Sequence, residues 1–479
     1  MAAWLRLGDL GRRSLWFDEA WVAVGSLDGP FDVAHVRVTP LLFAGLVRVS
    51  ATLFGRTEAA VRLPAAAFGL AAVVLAYFVA RHLAGRGAGR FAAAIVGLLP
   101  IPVYFGKEVK AYSAEVFLAF AVAAIGIRLR RNPSSRLDWV ALVSCVAIGS
   151  GLSPIAPVLV AGALVALYPG VRRAPDAWVA SAAVSAVAAL AWYRLVFVRQ
   201  LATDPAVAAY WRLFYLPDGP PSALATATLR SALEAATFGL GTSLPHHIDS
   251  TTRLAPLAVV PMIAIGVALL LGAAFLLARG HGWFVGSTLV WHALIAGAAY
   301  AARYPYGPAR IALVFLAPTS VLLAAAASGL AAIVPRALRP VAWVAAIVPL
   351  AWPLAGTWRE NVSQPLEREE LRPVLEYVFA HRTPEDLVWV SPGASGAFRF
   401  YVPRPDARTT VVGLPATDRP SLAAITAPGF DRLWLVFAHR WPVEQQRAFG
   451  TLRGVRRLDS IVATGAVAVL VAPASEAGR

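Results

Sequence analysis

The sequence is poor in charged residues, in cysteine and in lysine. Only 15% of the 479 residues are charged and 58% are hydrophobic, which excludes an ordinary soluble globular protein. The one cysteine, Cys145, excludes a disulfide within the chain. Among the forty-three basic residues there are only two lysines, Lys107 and Lys110, and they stand three positions apart. Codon drift in a surface loop is one explanation of this pair, and a ligand that needs compact cations is the other.

Long apolar runs replace the missing charge, and many of them could cross about 30 Å of hydrocarbon. They predict about ten transmembrane spans, near 61–80, 89–105, 111–127, 138–150, 154–169, 177–198, 256–278, 283–302, 309–334 and 341–356. The fourth and fifth are short, which is typical of a tilted or broken pair. The predicted fold class is therefore a polytopic α-helical membrane protein.

Arginines gather in alternate loops between these spans, and the positive-inside rule assigns those loops to the cytoplasm. The loop arginines are Arg81, Arg86, Arg90, Arg128, Arg130, Arg131, Arg136, Arg172, Arg173, Arg279, Arg336 and Arg339. The net charge of +16 is thus partly a topology signal and is no evidence for nucleic acid, whereas contact with anionic membrane lipid is compatible with it.

Three regions follow from this topology. Residues 1–60 form an extracytoplasmic loop with interfacial helices, because a span at 38–55 would bury Arg48 at a cost of about 3 kcal/mol. Residues 61–356 form the transmembrane domain, with an extracytoplasmic loop at 199–255. Residues 357–479 form a small extracytoplasmic α/β domain, since helical and strand patterns alternate there.

The pattern within this last region predicts individual elements. Apolar residues at helical spacing predict a helix within 368–382, and a second helix is predicted at Pro442–Leu452. The predicted strands are Leu387–Ser391, Phe398–Val402, Thr409–Leu414 and Leu433–Ala438. A hairpin is predicted at 461–472, with its turn at Thr464-Gly465.

The first extracytoplasmic segment carries adjacent carboxylates, Asp18 and Glu19, among Trp16, Phe17 and Trp21. Aromatic walls exclude water and raise the pKa of a carboxyl group towards the range of a general base. Neighbouring residues on a helix point in different directions, so one carboxylate of the pair would face a given site. The alternative, which composition alone favours, is an interfacial aromatic belt with an acidic pair at a helix N-terminus.

Two further polar clusters lie at extracytoplasmic ends of spans. One contains Lys107, Glu108, Lys110 and Tyr112, and the other runs from Arg303 through Tyr304 to Arg310. Their four cations break the positive-inside pattern, and an anionic ligand is the simplest reason. Snorkelling to lipid phosphate is the alternative for any one of them. Carboxylate, cations and aromatics on one side of the membrane are the set that sugar transfer from a lipid phosphate needs.

These motifs resemble those of the GT-C superfamily of membrane glycosyltransferases, in particular bacterial relatives of protein O-mannosyltransferases and aminoarabinose transferases. The matching segments are Ser14–Trp21, Glu58–Gly69, Tyr104–Tyr112, Tyr304–Arg310 and the segment that begins Arg368-Glu-Glu-Leu-Arg. Members of the superfamily usually begin with a transmembrane helix before the acidic loop, whereas thirteen residues precede Ser14 here.

The resemblance implies an inverting transfer of a sugar from a polyprenyl-phosphate donor to a lipid, glycan or protein acceptor on the outer face of the cytoplasmic membrane. It implies that Asp18 is the base, with Glu19 assisting, and that Lys110, Lys107, Arg310 and Arg303 bind the donor phosphate. Glu108, Tyr112 and Tyr304 would orient the lysines or the sugar.

Three alternatives accompany this prediction. The first alternative is a mechanism with a catalytic metal. Some superfamily members use a divalent metal at the acidic loop, and His246-His247-Ile-Asp249 could suggest one here. A mechanism without a catalytic metal is favoured. A transporter or flippase of a lipid-linked substrate would need midplane charges and internal repeats, and the sequence displays neither. A non-catalytic membrane scaffold is the third alternative.

One histidine, His292, lies inside a predicted span. It is more typical of a satisfied buried histidine than of a proton relay.

Overall fold

The chain divides into two compact units. The computed structural model describes residues 1–479 except 37–38, 173, 203–210, 212–213, 218, 242–258, 308–309, 364–366, 413–421, 427–428, 440, 453 and 475–479. The helical unit comprises residues 1–8, 30–46 and 62–365, and the α/β unit comprises residues 9–29, 47–61 and 366–479. The predicted N-terminal region 1–60 is therefore shared between the units and is not a separate one.

Helices account for most of the chain before residue 365. They are Ala2–Leu7, Phe17–Leu27, Val33–Val36, Leu41–Phe54, Glu58–Ala84, Arg86–Leu98, Pro100–Phe105, Tyr112–Arg131, Arg136–Ala147, Ala156–Leu167, Pro175–Trp192, Val198–Ala202, Pro221–Phe238, Val259–Ala278, Gly282–Tyr300, Leu316–Ile333, Arg339–Ile347 and Ala351–Trp358. Each of the ten predicted spans overlaps at least one of them, which confirms the predicted fold class.

Fewer helices than predicted are long and apolar enough to cross a membrane. Within the described residues five meet these criteria: Glu58–Ala84, Tyr112–Arg131, Pro175–Gln200, Gly282–Tyr300 and Arg310–Ile333. A sixth is added if the segments Arg336–Leu350 and Pro353–Ser363, which are bent by 53°, count as one span. The chain is thus a multi-pass membrane protein, but the prediction of about ten full spans exceeds the five or six found in the described part.

Breaks within the apolar runs explain part of this difference. The run at 89–105 is interrupted at Leu99, because Pro100 begins a second short helix there. The fourth and fifth predicted spans are helices of only 12 residues, Arg136–Ala147 and Ala156–Leu167. At about 1.5 Å per residue neither spans the hydrocarbon alone, so the predicted short pair is confirmed.

A five-stranded sheet forms the centre of the α/β unit. Its strands are β1 Leu387–Val390, β2 Thr409–Val411, β3 Leu433–Ala438, β4 Val455–Ala463 and β5 Ala466–Pro473, and its helices are Leu371–His381, Ser395–Tyr401, Leu422–Thr426 and Trp441–Thr451. The strand order is β2-β1-β3-β5-β4. β1 is parallel to β2 and to β3, whereas β5 is antiparallel to β3 and to β4. Every residue of β3 is buried, as a central strand with both faces covered requires.

Most predicted elements of this unit are confirmed, and one is wrong. The run Phe398–Val402, predicted as a strand, belongs to the helix Ser395–Tyr401. A short apolar run fits either structure, and tertiary packing decides between them. Here Gly396 brings the helix against Ala20 and Trp21 of the Phe17–Leu27 helix, where an added Cβ would lie 3.6 Å from Ala20 Cβ.

The predicted loop at 199–255 is also not wholly a loop. It contains the helix Pro221–Phe238, whose last four residues are buried. This helix packs against the segment Arg310–Phe315 of the same unit. His246, His247 and Asp249, which suggested a metal, lie outside the described residues.

Candidate active site

The predicted site residues are distributed over both units. Asp18 and Glu19 belong to the α/β unit. The two lysines and the other predicted residues belong to the helical unit, and they are Lys107, Glu108, Lys110, Tyr112, Arg303, Tyr304 and Arg310.

The two carboxylates occupy the first turn of the helix Phe17–Leu27, named here the acidic helix. Glu19 is 1% exposed, whereas Asp18 is half-buried and therefore accessible. This difference agrees with the expectation that adjacent residues of a helix face different surroundings. Both charges also stabilise the helix, because the macrodipole is positive at this end. Of the two, Asp18 is the carboxylate that a substrate can reach within the unit.

The N-terminal end of the acidic helix is capped by carboxylates from distant residues. Its N-cap residue is Trp16, whose side chain makes no capping bond. Instead the backbone N–H of Phe17 donates to Glu369 Oε2 over 2.7 Å, and that of Ser14 donates to Glu370 Oε2 over 2.9 Å. The Phe17 bond satisfies a donor that the helix end leaves without an internal partner, and the Ser14 bond holds the segment that precedes the helix. The Arg368-Glu-Glu motif thus has a structural role at the helix that carries Asp18.

Two aromatic contacts hold the same helix end. The Arg368 guanidinium lies 3.2 Å from the centroid of the Trp16 ring, in a cation–π contact. The His439 ring stacks on Phe17 with centroids 4.4 Å apart and planes 10° apart. Nδ1 of His439 is also 2.8 Å from Glu369 Oε1. His439 carries no sequence signal of a role, because it stands alone at the end of a strand.

A partly buried ion pair and its hydrogen bonds join three of the motifs that carried the family resemblance. Arg372 Nη1 lies 2.5 Å from Oε1 of the buried Glu58, and Arg372 Nη2 donates to the Arg12 carbonyl over 2.9 Å. The Tyr401 hydroxyl donates to the same Glu58 oxygen over 3.1 Å and accepts from Leu15 N–H over 2.8 Å. The segments around residues 14, 58 and 370 therefore form one hydrogen-bonded cluster inside the α/β unit.

In the helical unit the two lysines lie on a turn rather than on a helix. The lysine turn, residues 106–111, joins the helices Pro100–Phe105 and Tyr112–Arg131. It is stabilised by Lys107 N–H donating to the Tyr104 carbonyl over 2.9 Å and Lys110 N–H donating to the Glu108 carbonyl over 2.7 Å. The two side chains therefore do not share a helical face.

The two lysines lie in different environments. Lys107 is 8% exposed and its Nζ donates to Asn361 Oδ1, so it is not a solvated side chain. Asn361 also donates through Nδ2 to the Thr357 carbonyl over 2.8 Å. Lys110 is half-buried, and Glu108 between them is fully buried. Lys110 is the more accessible of the two cations.

A buried arginine supports the helix break that precedes the lysine turn. Arg6 is fully buried and donates to the carbonyls of Gly97 over 2.8 Å, Val96 over 2.7 Å and Pro102 over 3.3 Å. Burial lowers the pKa of Arg6 to about 10, so it stays cationic at neutral pH. A Cβ at Gly106, the first residue of the lysine turn, would lie 2.9 Å from Arg6 Nε. The sequence does not reveal the hydrogen bonds of Arg6, since they link residues about ninety positions apart.

The third predicted cluster is a turn after the helix Gly282–Tyr300. Burial raises the pKa of Tyr304 well above its ordinary value, and the nearby Glu115 and Tyr112 add to this effect, so the phenol stays protonated. The Tyr306 hydroxyl is 2.6 Å from His292 Nδ1, which confirms that His292 has a hydrogen-bond partner.

The two arginines of this cluster differ in placement. Arg310 opens the 3₁₀ segment Arg310–Phe315, and its guanidinium lies 6.0 Å from the Trp211 centroid. The segment packs against the helix Tyr112–Arg131, which starts at the end of the lysine turn. Arg303 is exposed. Its role as a phosphate ligand stays a prediction.

Comparison with known proteins agrees with this architecture. Residues 38–192 match the family model described as dolichyl-phosphate-mannose-protein mannosyltransferase, and these residues include the lysine turn. A search of curated protein sequences finds no match.

Two solved structures of ArnT from Cupriavidus metallidurans are similar over nearly the whole chain. The apo structure has a TM-score of 0.56 at 16% identity and covers 99% of this chain and 97% of that chain. The structure of the same protein bound to undecaprenyl phosphate has a TM-score of 0.58 at 16% identity, covering 100% of this chain and 98% of that one.

The fold therefore defines a multi-pass membrane protein of the GT-C type with a small α/β unit. The resemblance of this chain to the GT-C membrane glycosyltransferases, inferred above from sequence motifs, is confirmed by the mannosyltransferase match and by the ArnT-like fold.

Proposed function

We propose that this protein is a glycosyltransferase that moves a sugar, with inversion, from a polyprenyl-phosphate donor to a lipid, glycan or protein acceptor. The reaction takes place on the extracytoplasmic side of the cytoplasmic membrane. The observation that carries the proposal is the lysine turn, where the two lysines of an otherwise lysine-free chain lie on one short connection between membrane helices.

The chemistry of the lysine turn suits a phosphate leaving group. When the sugar–oxygen bond of the donor breaks, negative charge develops on the lipid phosphate, and a nearby cation stabilises that charge most in the transition state. Lys110 is accessible enough to do this, and Lys107 is held at a fixed position by Asn361. Arg310 and, more peripherally, Arg303 supply further cations in the same unit.

The acidic helix supplies the base in this proposal. Asp18 takes the proton from the acceptor hydroxyl as that oxygen attacks the anomeric carbon, and the lipid phosphate leaves from the opposite face of the sugar, which inverts the configuration. Glu19 is buried beside it and assists through its charge. Glu108, Tyr112 and Tyr304 orient the lysines or the sugar, and Tyr304 does so as a neutral donor because its pKa is raised.

The comparisons support the class of donor without fixing the sugar. The matched family is described by a dolichyl-phosphate-linked mannose, and ArnT was captured with undecaprenyl phosphate. Both lipids are polyprenyl phosphates. The partners implied are therefore a polyprenyl-phosphate sugar and the surrounding membrane lipid.

The proposal is tested by replacing Asp18 with Asn and following sugar transfer from radiolabelled polyprenyl-phosphate donors. Loss of a general base lowers the rate by about 10²- to 10⁴-fold, and we expect the Asp18→Asn substitution to reduce kcat by the same factor. Asp28→Asn is the matched control, because Asp28 follows the other end of the same helix and pairs with Arg56 over 2.5 Å. Full activity of correctly inserted Asp18→Asn protein would refute the assignment of the base.

A further inference from the structure

His439 adopts a backbone conformation that is uncommon for a residue other than glycine. Its φ is +60°, and among the non-glycine residues described only Ala302 shares a positive value. A left-handed conformation is unfavourable for an L-residue because its Cβ crowds the following carbonyl oxygen. Such a conformation persists only when surrounding contacts determine it, and it is enriched at functional sites.

Two contacts of the His439 side chain fix this conformation. The imidazole stacks on the Phe17 ring with a centroid distance of 4.4 Å. Its Nδ1 lies 2.8 Å from Glu369 Oε1, and because an ionised carboxylate only accepts, Nδ1 must carry the proton. Both contacts lead to the same place, the first residue of the acidic helix.

Glu369 connects the histidine to that helix through its two oxygens. Oε1 faces His439 Nδ1, and Oε2 accepts the N–H of Phe17 over 2.7 Å. The carboxylate is mostly buried, with 8% of the residue exposed. A carboxylate held at both oxygens has a fixed plane, so it fixes the direction of the Phe17 N–H. Asp18 is the next residue along the chain.

We propose that Glu369 and His439 are positioning residues that orient the first turn of the acidic helix and thereby aim Asp18. This proposal rests on the proposed function, since it assigns the pair a role only through Asp18. Neither residue touches a substrate. Misplacement of a catalytic group by about 1 Å can cost on the order of 10²-fold in rate, which is the effect that the pair prevents.

Two substitutions at His439 separate the ring from the backbone. His439→Gly removes both side-chain contacts but adopts φ +60° without strain, so the variant should remain folded. His439→Asn also tolerates this conformation and keeps an N–H donor for Glu369, so it should restore part of the effect. His381→Asn is the matched control, because His381 also stacks on an aromatic ring, that of Tyr377, at 3.9 Å in the same unit.

The first measurement is hydrogen exchange of the full chain in detergent or nanodiscs. We expect amides in the first turn of the acidic helix to exchange about tenfold faster in His439→Gly, since the acceptor of Phe17 N–H is no longer held. His439→Asn should lie between this variant and the wild type, and His381→Asn should match the wild type. Unchanged exchange of this turn in His439→Gly would overturn the proposal, whatever the activity.

The second measurement is sugar transfer from the polyprenyl donor. We expect His439→Gly and Glu369→Ala to lower kcat by about 10- to 100-fold while KM for the donor changes less than about twofold. A fall in kcat without faster exchange, or faster exchange without a fall in kcat, contradicts a positioning role. If the wild type transfers no sugar at all, the proposed function fails, and the exchange experiment alone still decides whether the pair holds the helix.

Discussion

At the scale of single residues, burial separates the two lysines. Lys107 is held by Asn361, and Asn361 is anchored in turn to the Thr357 carbonyl. Lys110 has the greater exposure of the two. A buried ammonium with a fixed partner acts mainly on structure, whereas an accessible one can approach a ligand.

This difference predicts separable effects of two substitutions. Lys110→Ala should raise the KM for the donor about tenfold or more, because a hydrogen bond to a charged group contributes about 1.5–3 kcal/mol, with little change in thermal stability. Lys107→Ala should lower the unfolding temperature instead, and Asn361→Ala should lower it similarly, since each substitution removes the hydrogen bond from Lys107 Nζ to Asn361 Oδ1. Donor titrations and thermal unfolding in detergent check this. Equal and mild effects on both readouts would favour codon drift.

The position of the lysines was predictable from sequence, but the burial of Lys107 was not. The turn follows from two apolar runs with polar residues between them, and such a pattern is local. The partner of Lys107 lies 254 residues further along, and no local pattern encodes that contact. Arg6 escaped prediction for the same reason, since its acceptors lie 90 to 96 residues away.

At the scale of elements, the β4–β5 hairpin shows how one turn constrains a neighbouring segment. Gly465 has φ +67°, and a Cβ there would lie 2.1 Å from the Arg368 carbonyl oxygen. Gly454, which precedes β4, has a similar φ of +70° but open space around it. Both glycines therefore need a positive φ, but only Gly465 lies too close to another residue for a Cβ to fit.

The Gly465→Ala and Gly454→Ala variants can be compared to separate the steric clash with Arg368 from the cost of a positive φ. Gly454→Ala should lower the free energy of unfolding by about 1 kcal/mol, the cost of the left-handed conformation alone. Gly465→Ala should cost clearly more and should also reduce activity, because Arg368 must shift and Glu369 follows it. Denaturant unfolding and transfer assays check both parts. Equal destabilisation by the two variants would contradict a steric constraint at Gly465.

Elements with a strong local signal were predicted correctly. The helix Leu371–His381 has apolar residues at helical spacing, and the hairpin has a Thr-Gly turn between β-branched runs. The run Phe398–Val402 lacked such a signal, and packing on the acidic helix made it helical. The length of spans was overestimated where a proline or a glycine-rich turn breaks an apolar run, because mean hydropathy ignores such breaks.

At the scale of the whole molecule, the arginine distribution predicts the orientation in the membrane. The Arg-rich loops should face the cytoplasm, and the α/β unit should face outwards. Cys145 is the one native cysteine, so Cys145→Ala gives a background for labelling at chosen positions. Ser134, in an Arg-rich loop, and Gln446, in the α/β unit, are both exposed.

Single cysteines at these two positions test the orientation. In the Cys145→Ala background, Gln446→Cys should react with a membrane-impermeant maleimide in intact cells. Ser134→Cys should react only after the membrane is permeabilised. The reverse pattern would invert the proposed sidedness and would place the acidic helix on the cytoplasmic side.

The bond between Phe17 and Glu369 also has a consequence for biosynthesis. The two residues are 352 positions apart, so Phe17 N–H lacks the Glu369 carboxylate as its acceptor while most of the chain is still unmade. At roughly 5–20 residues per second, the ribosome needs about 18–70 s to pass from one residue to the other. Throughout that interval the membrane helices can insert, but the α/β unit lacks its sheet. A truncated or stalled product therefore carries Asp18 on a segment without this hydrogen bond, and under the proposed function we expect such a product to be inactive.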